Sequence, residues 1–334
     1  MIKPMPVETV CLLGGSGFVG RHLAHQLSEQ GYRVRVLTRN RERAKELIVL
    51  PTVDVVQADV HASGQLSRHF DSVDAVVNLV GILHQRRGGY GASFEQAHVE
   101  FTDKVIAACH ENGVRRLLHM SALGANPQGP SAYLRSKGAA EQLVRESDAL
   151  TGSGGEIQGL CSTIFRPSVL FGPGDSFLGL FAKLMRVSPI VFLPCPRARF
   201  QPVYVEDVAR TFALALANPA TWGQTYDLCG PRIYTLRQLI DLVGAAIGRR
   251  RPVVELNDRL SYWQARLMEL SPVKLLTRDN YHSMQVDNVC ACPFPAILGM
   301  QPTALEAVVD RYLGGQTPRS RYSAFRVRAG RKAG

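Results

Sequence analysis

The chain has 334 residues, of which 46% are hydrophobic, so it can bury a substantial core in one large domain or in two unequal ones. Its 39 basic and 28 acidic residues give a formal net charge of +11, which suits an anionic partner surface. No apolar run reaches the roughly 18 residues of a membrane-spanning helix, and Val10–Leu13 is too short for a signal peptide, so a cytoplasmic protein is predicted.

The first predicted elements are the apolar strand Thr9–Leu13, a glycine-rich turn and a helix over Val19–Glu29. In the turn, Gly14 permits the tight reversal, Gly17 lets the backbone approach a ligand, and Gly20 lets the helix pack close to the strand. The first N–H groups of the helix and its dipole favour an anion, so the pattern predicts a dinucleotide pyrophosphate site. The residues predicted to contact the nucleotide here are Gly14, Ser16, Gly17, Phe18, Val19 and Gly20.

The second predicted strand, Arg33–Leu37, ends where a dinucleotide-binding sheet contacts the adenosine ribose. An NAD site places an acid there, whereas this chain has Thr38 and Arg39, with Arg41 and Arg43 nearby. Because an arginine pairs with a ribose phosphate that a carboxylate would repel, Thr38 and Arg39 predict NADP(H), with NAD(H) as the open alternative. In the competing interpretation, Arg39 is a surface residue at the start of a helix.

The third and fourth predicted strands, Val53–Gln57 and Ala75–Leu79, end in further candidate cofactor contacts. Asp59 is placed to meet the adenine amino group, and Gly81 lets the backbone approach the cofactor. The residues predicted to contact the cofactor at these two ends are Asp59, Val60, Leu79, Val80 and Gly81.

Two more predicted strands, Arg116–Met120 and Cys161–Phe165, alternate with helices over Phe94–Asn112 and Ser131–Glu146. Because strand–helix alternation at this spacing gives right-handed crossovers, the fold class is predicted to be α/β. The expected architecture is a Rossmann-type doubly wound parallel sheet with a smaller C-terminal substrate lobe. The stretch 148–159 is rich in Gly, Ser and Thr and is predicted to be a loop.

Prolines and glycines punctuate shorter elements after Gly172, which predicts a change of domain. The predicted domains are an NAD(P)-binding Rossmann domain over 1–172, a smaller substrate or partner lobe over 173–315 and a basic C-terminal tail over 316–334. Further core strands can return to the first domain after residue 172.

The helix over Ser131–Glu146 carries Tyr133 and Lys137, which lie four positions apart and therefore on one face. A nearby ammonium favours the phenolate and lowers the pKa of a tyrosine, so the pair predicts acid–base catalysis near neutral pH. Both residues are also predicted to contact the cofactor.

These motifs resemble the extended short-chain dehydrogenases/reductases over residues 7–315. Arg166–Pro173 is similar to the family's stretch that borders the nicotinamide, and Gln201–Ala209 to its strand-to-helix step in the smaller lobe. The resemblance implies that Tyr133 and Lys137 are the catalytic pair. It also implies that Pro167 contacts the cofactor.

A narrower resemblance is to an atypical subgroup of that family. The subgroup contains the nucleotide-binding accessory subunit of respiratory complex I (NADH:ubiquinone oxidoreductase) and relatives implicated in coenzyme Q biosynthesis. The segments that carry the likeness are His119–Ala125, Tyr133–Lys137, Leu276–Asn280, Ser283–Asn288 and Gln301–Glu306. The resemblance implies a bacterial relative, with respiratory-complex subunits and a quinone-related small molecule as partners; nucleic acid is not expected.

The chain departs from the family at the catalytic serine or threonine. Ser121 lies only twelve residues before Tyr133, closer than in typical members, which leaves Ala122 or Leu123 at the position that polarises the carbonyl. Loss of such a hydrogen-bond donor lowers a rate by about two to three powers of ten. Ser121 stays a candidate catalytic residue, and two functions stay open: an accessory protein with a mainly structural nucleotide, or an active reductase, dehydrogenase or epimerase acting on a lipophilic carbonyl or quinone precursor.

Three segments suggest a partner surface. Arg186–Phe200 is an apolar stretch that prolines interrupt. Arg319–Gly334 holds six cations and no acid, and this charge suits an anionic inner-membrane surface or an acidic subunit. A frayed soluble tail is the alternative for the last segment. In Asp258–Leu276 one helical face is apolar, and it either packs into the core or forms an interfacial membrane or quinone-adjacent surface. The apolar residues of that face are Leu260, Trp263, Leu267 and Leu270.

The seven cysteines are odd in number, scattered and mostly embedded in apolar runs, which predicts reduced thiols rather than a disulfide framework. Cys290 and Cys292 lack a second pair of ligands at metal spacing, so no metal site is expected.

Overall fold

The computed structural model describes residues 7–62, 64–83, 92–148, 150–151, 157–269 and 276–314. The chain divides into two compact units. The first unit comprises Met1–Ser168, Val205–Cys229 and Cys290–Gln301; the second comprises Val169–Tyr204, Gly230–Val289 and Pro302–Gly334. The opening segment of the first unit thus ends at Ser168, near the predicted boundary at residue 172, and two later segments of the chain also belong to this unit. The predicted basic tail lies outside the described residues.

The first unit is built on a seven-stranded parallel sheet in the order β13-β8-β5-β4-β1-β2-β3. Its strands are β1 (Thr9–Leu13), β2 (Arg33–Thr38), β3 (Val53–Gln57), β4 (Ala75–Asn78), β5 (Arg116–Met120), β8 (Cys161–Pro167) and β13 (Gln224–Leu228). Continuous apolar runs such as Val10–Leu13 are fully buried, as expected of a parallel sheet covered on both faces. The predicted Rossmann-type fold class is confirmed.

Helices cover both faces of this sheet. They are α1 (Phe18–Glu29), α2 (Gln65–His69), α3 (Ala92–Phe94), α4 (Phe101–Glu111), α5 (Ala132–Glu146) and α7 (Val205–Leu216). A π-helical turn, Glu95–Glu100, joins α3 to α4. α1 packs on α7, and α4 packs on α2 and α5. The strand order reverses between β1 and β4, and ligands of doubly wound sheets bind at the carboxyl ends of the strands at this point.

A buried arginine joins β5 to the end of α7. Arg116 is almost completely buried, and its guanidinium donates to the carbonyls of Ala215 and Leu216, at 2.7 Å and 3.1 Å, in the last turn of α7. It also donates to the carbonyl of Cys161 and the hydroxyl of Thr163 in β8. A cation placed there satisfies helix-terminal carbonyls that otherwise lack a partner.

The second unit consists of short elements around a core of its own. Its helices are α6 (Leu178–Val187), α8 (Leu236–Ala246), α9 (Asp258–Met268), α10 (Arg278–Ser283) and α11 (Val309–Leu313). Its paired strands are β9 (Leu170–Phe171) with β12 (Val203–Tyr204), β10 (Val191–Leu193) with β15 (Val253–Glu255), and β11 (Arg199–Phe200) with β14 (Tyr234–Thr235). Leu178, Leu239 and Ile240 are buried in this core.

Three sequence predictions need correction or adjustment. The α9 stripe does not pack into the core, because Leu260, Trp263 and Leu267 are exposed and the buried face carries Ser261 and Ala265 instead. Leu270 lies outside the described residues. The apolar stretch 186–200 is split, since Val191 and Leu193 enter the core while Phe192 faces outward. The loop predicted over 148–159 includes a small antiparallel pair, β6 (Leu150–Thr151) and β7 (Ile157–Gln158).

The prediction of reduced thiols is wrong at one pair of cysteines. Cys229 and Cys290 form a disulfide with their Cα atoms 6.1 Å apart. The two residues are 61 positions apart, so their proximity depends on the fold and leaves no local pattern in the sequence. Cys11, Cys109, Cys161, Cys195 and Cys292 are free. Among the described residues, no group of His, Cys, Asp or Glu could hold a metal ion, and no helix is long and apolar enough to cross a membrane.

Candidate active site

The glycine turn after β1 leaves the N-terminus of α1 open. Gly14 has a φ of +80°, and its carbonyl accepts the N–H of Gly17 at 2.9 Å, which closes the turn. α1 then begins at Phe18, and its N-cap Gly17 has no side chain that could bond the first N–H groups of the helix. These groups therefore remain available to an anion, as a pyrophosphate site requires.

The glycines of the turn have different neighbours. A Cβ on Gly20 would lie 2.4 Å from the carbonyl oxygen of Gly14 and 2.4 Å from Cα of Gly15, so Gly20 packs α1 against the turn itself rather than against the strand. A Cβ on Gly14 would lie 3.1 Å from the carbonyl carbon of Leu79. A Cβ on Gly17 would meet only the Gly14 carbonyl oxygen, at 3.0 Å. The space beside Gly17 is thus the part of the turn that is free for a ligand.

The end of β2 lies next to the turn and is followed by a basic residue. The hydroxyl of Thr38 is buried and lies 3.2 Å from the hydroxyl of Ser16, which ties the two segments together. Arg39 follows Thr38 and is exposed, and neither of these two positions holds an acid. Arg39 does not begin a helix, because Asn40 caps the 3-10 turn that follows.

The end of β3 is followed by two of the candidate cofactor contacts, Asp59 and Val60. Asp59 is exposed, and one of its carboxylate oxygens accepts the N–H of His61 at 3.2 Å. The side chain of Val60 instead packs in the hydrophobic core of the first unit, so only its backbone could face a ligand. Burial and the positive charge of Arg39 lower the pKa of His61, against the opposing effect of Asp59.

Helix α5, which carries Tyr133 and Lys137, begins at Ala132, where Ser131 caps it by accepting the N–H of Leu134. Lys137 is buried, and its Nζ donates to the carbonyl of Met120 at 3.0 Å. Burial lowers the pKa of Lys137 to about 8, against the opposing effect of Glu141. A Cβ on Gly81 would lie 3.3 Å from this Nζ, so Gly81 lets the chain approach Lys137 as well as a ligand.

A histidine that sequence reasoning missed joins α5 to the chain after β4. His98 is buried; its Nε2 accepts the N–H of Ile82 at 3.1 Å, and its Nδ1 lies 2.8 Å from the hydroxyl of Ser136. That hydroxyl donates to the carbonyl of Tyr133, so Nδ1 must carry the proton of a neutral ring. Burial and the charge of Lys137 lower the pKa of His98 to about 2.

The same histidine holds the ring of Tyr133. Its imidazole lies edge-on to that ring with the centroids 5.6 Å apart, and it stacks on Phe94 at 5.6 Å. The rings of Phe94 and Tyr133 are 5.9 Å apart. His98 therefore orients Tyr133 without titrating near neutral pH. Its position on the buried face of the predicted helix was the only signal in the sequence.

Two polar groups at the end of β5 have no hydrogen-bond partner among the described residues. They are the hydroxyl of Ser121 and Nε2 of His119, both buried. Nδ1 of His119 lies 3.4 Å from the amide nitrogen of Asn78. Burial, with Lys137 nearby, lowers the pKa of His119 to about 3, so the ring is neutral. Buried polar groups without a partner require an explanation such as a bound ligand or water.

The end of β8 anchors helix α5. Arg166 donates to both carboxylate oxygens of Glu141, which is buried in α5 one turn after Lys137. Pro167 accepts the N–H of Leu123 at 3.0 Å, so the segment after Ser121 is held against β8. Neither Ala122 nor Leu123 offers a hydroxyl, and the departure noted in the sequence therefore persists in the fold.

Most of the predicted site residues lie at or just after the carboxyl ends of neighbouring strands. The turn after β1, Leu79–Gly81 after β4, Ser121 after β5 and Pro167 in β8 meet this description. The glycine cradle and the open helix terminus fit a dinucleotide pyrophosphate.

The sequence is similar to those of known proteins. Residues 10–229, which include every predicted site residue, match the family described as "NAD dependent epimerase/dehydratase family". The chain is 29% identical over 306 residues to "NADH dehydrogenase (ubiquinone) 1 alpha subcomplex subunit 9, mitochondrial" of Rattus norvegicus, covering 88% of this chain and 77% of that protein. It is 30% identical over 211 residues to "Ceramide reductase" of Caulobacter vibrioides, covering 63% of this chain and 61% of that protein.

A solved structure agrees with the fold. The double mutant of DesIV, a dTDP-glucose 4,6-dehydratase from Streptomyces venezuelae with NAD and DAU bound, has a TM-score of 0.71 at 21% identity. The alignment covers 95% of this chain and 99% of that one. The predicted resemblance to extended short-chain dehydrogenases/reductases and to a complex I subunit is confirmed.

Proposed function

The chain belongs to the NAD dependent epimerase/dehydratase family, and we propose that it is an NADP(H)-binding accessory or assembly protein of a quinone-linked respiratory system, complex I or ubiquinone biosynthesis. In this proposal the nucleotide is mainly structural. The likeness to the complex I subunit of Rattus norvegicus supports the respiratory role.

The observation that carries the nucleotide site is the open N-terminus of α1 beside Gly17. Its backbone N–H groups and the helix dipole would hold the pyrophosphate, and Gly14 and Gly20 fix the turn that presents them. Arg39 supports NADP(H) over NAD(H), because it would pair with the ribose phosphate.

A structural role for the nucleotide is supported by the end of β5. Ser121 has its hydroxyl buried, and the next two residues carry no hydrogen-bond donor on their side chains. Lys137 directs one of its three N–H groups to the carbonyl of Met120. A site that lacks the carbonyl-polarising donor loses about two to three powers of ten in rate.

A second candidate is an active NAD(P)H-dependent reductase, dehydrogenase or epimerase on a lipophilic carbonyl or quinone precursor. The arrangement of Tyr133 favours it, because His98 and Phe94 hold the phenol ring and Lys137 lies one turn along the same face. Tyr133 would exchange a proton with the substrate oxygen while the ammonium of Lys137 stabilises the phenolate. When bound, the nicotinamide would supply or accept the hydride. The likeness to a ceramide reductase supports a lipophilic substrate.

The proposal also includes a place in the cell. We expect a cytoplasmic protein that associates peripherally with the inner membrane, because the net charge is +11 and six cations without an acid lie in Arg319–Gly334. Anionic phospholipids and acidic subunits of a respiratory complex offer the matching charge.

The first experiment identifies the nucleotide that copurifies with the protein, by mass spectrometry. We expect NADP(H), released only on unfolding and not oxidised by an added quinone analogue. Rapid oxidation of the bound cofactor would refute the structural role and favour the active enzyme.

A pair of variants separates the two candidates in cells. Tyr133→Phe should keep nucleotide affinity within a few-fold of wild type and give a mild phenotype. Gly17→Val should abolish binding, because a branched side chain would fill the space of the pyrophosphate. If folded Tyr133→Phe protein loses all cellular function, the protein is an enzyme.

A further inference from the structure

The helix α9 of the second unit presents an apolar face to solvent. Leu260, Trp263 and Leu267 are 53%, 61% and 70% exposed. They lie three, four and seven positions apart, which places them on one side of the helix. The opposite side carries the buried Ser261 and Ala265. The helix is therefore amphipathic with its apolar side turned outward, the reverse of a helix that packs into a core.

The exposed apolar surface continues beyond the helix. Phe192 in β10 and Val254 in β15 are cross-strand partners, 55% and 43% exposed, while Val191 on the other face is buried. The side-chain amide of Gln264 in α9 donates to the carbonyl of Phe192 at 3.2 Å, which places the strand pair beside the helix. We call Phe192, Val254, Leu260, Trp263 and Leu267 together the α9 surface.

Positive charge flanks the α9 surface. Arg259 and Arg266 are exposed on the same side of the helix, and the guanidinium of Arg266 lies 5.3 Å from the centre of the Trp263 ring. The acids on these elements include Glu255, paired with Arg237, and Glu269, paired with Arg278. Asp258 lies at the first position of α9, where a carboxylate interacts favourably with the helix dipole.

We propose that the α9 surface inserts into the headgroup region of an anionic phospholipid bilayer, with α9 lying parallel to the membrane plane. A row of apolar side chains beside a row of arginines on one helix is the pattern of interfacial helices. Tryptophan prefers the same depth, because its ring is apolar and its N–H is polar. With 11 residues, α9 is about 16 Å long, so it can lie in the interface but cannot cross the membrane.

This inference rests on the proposed membrane association and assigns it to a defined surface. The basic tail and the α9 surface are distinguishable, because charges alone bind at the surface and are screened by salt. Apolar side chains, in contrast, leave water. Emission from Trp263 therefore reports insertion, whereas sedimentation with vesicles reports association by either route.

The experiment uses full-length protein carrying Trp222→Phe, so that Trp263 is the only one of the two tryptophans left. Vesicles of phosphatidylcholine with about 30% phosphatidylglycerol are compared with pure phosphatidylcholine. With the anionic vesicles we expect a blue shift of Trp263 emission and quenching by lipids brominated on the acyl chains. The matched control, Trp263→Phe, retains Trp222 in the first unit, and its emission should not change.

A second set of variants tests the apolar contribution. Leu260→Ser with Leu267→Ser should lower the affinity for anionic vesicles about tenfold or more, since both side chains then lose their burial in the interface. Val49→Ser is the control, because Val49 is 80% exposed in the first unit and outside the α9 surface. Unchanged circular dichroism and nucleotide affinity would show that the variants are folded.

Three results would overturn the inference. In the first, the protein sediments with anionic vesicles, but the emission of Trp263 does not change and the Leu260→Ser/Leu267→Ser variant binds the vesicles as tightly as the wild type. The membrane association then stands, but the α9 surface is not responsible for it. If the protein binds neither kind of vesicle, the proposed membrane association and the role of the α9 surface both fail. If an acidic protein rather than the vesicles shields Trp263 from aqueous quenchers, the surface is a protein interface.

Discussion

Replacement of Gly20 by alanine tests the geometry of the nucleotide turn. The new Cβ would lie 2.4 Å from the Gly14 carbonyl oxygen, 2.4 Å from Cα of Gly15 and 2.7 Å from its carbonyl carbon. Ordinary carbon contacts begin at about 3.5 Å, so α1 would have to move by about 1 Å. All three atoms are backbone atoms of the turn and cannot rotate away.

The magnitude follows from two opposing effects. Alanine normally stabilises a helix interior by about 1 kcal/mol relative to glycine. Overpacking a tight site costs about 1–3 kcal/mol, and a rigid backbone contact belongs at or above the upper end. We therefore expect Gly20→Ala to lose about 2 kcal/mol and to lower the thermal midpoint by roughly 4–8 °C. Nucleotide affinity should fall at least about tenfold, because the N–H groups of α1 move away from the pyrophosphate.

The assays are thermal unfolding followed by circular dichroism and titration with NADPH. Gly244→Ala in α8 is the control, because its Cβ would meet the flexible end of Met185 at 2.8 Å. We expect the control to stay within about 1 kcal/mol of wild type. If Gly20→Ala unfolds at the wild-type temperature and binds NADPH normally, the packing inferred for this turn is wrong.

Three further predictions concern charge and redox state. Lys137→Met should stabilise the nucleotide-free protein by about 2 kcal/mol below pH 8, because the shift of the lysine pKa from 10.5 to about 8 is worth roughly 3 kcal/mol and the lost hydrogen bond about 1 kcal/mol. Between pH 8 and pH 10.5 the unfolded chain binds a proton on Lys137 that the folded chain has released, so the stability of the wild-type protein should rise with pH over this range. The stability difference between the variant and the wild type should therefore shrink there. Equal unfolding midpoints of the two proteins at pH 7 would contradict this prediction. Arg39→Asp should weaken NADPH relative to NADH by about one to two powers of ten in titrations, and wild-type protein that binds both equally would refute the pairing. Alkylation of unfolded, unreduced protein should modify the five free cysteines but neither Cys229 nor Cys290, and reduction followed by a second alkylation should add two more modifications to the mass.

Much of the fold could be predicted because short apolar runs buried on both faces identify parallel strands. The bounds of Thr9–Leu13, Val53–Gln57 and Arg116–Met120 agree with the prediction without change. The glycine turn could also be predicted, because its residues are close together in the sequence and each glycine is required by contacts within or next to the turn.

The rest depends on contacts between residues far apart in the sequence. His98 could not be assigned because its partners Ile82 and Ser136 are 16 and 38 positions away. The cysteine pair is separated further still. The outward orientation of α9 was also out of reach, because an apolar stripe looks the same whether another element or something outside the chain covers it.

The disulfide has a consequence for how the chain tolerates change. The chain leaves the first unit after Cys229 and returns to it at Cys290, so the bond joins the two points where a 60-residue excursion begins and ends. Closing a loop of this length lowers the conformational entropy of the unfolded chain, which stabilises the folded protein by about 4 kcal/mol. Loop entropy grows only slowly with length, so an insertion in a turn within 230–289 would scarcely change this contribution. The disulfide therefore closes the excursion at its base, whereas the strands β14 and β15 pair with β11 and β10 outside it, so turns between its elements can lengthen but the segment cannot be exchanged as a unit.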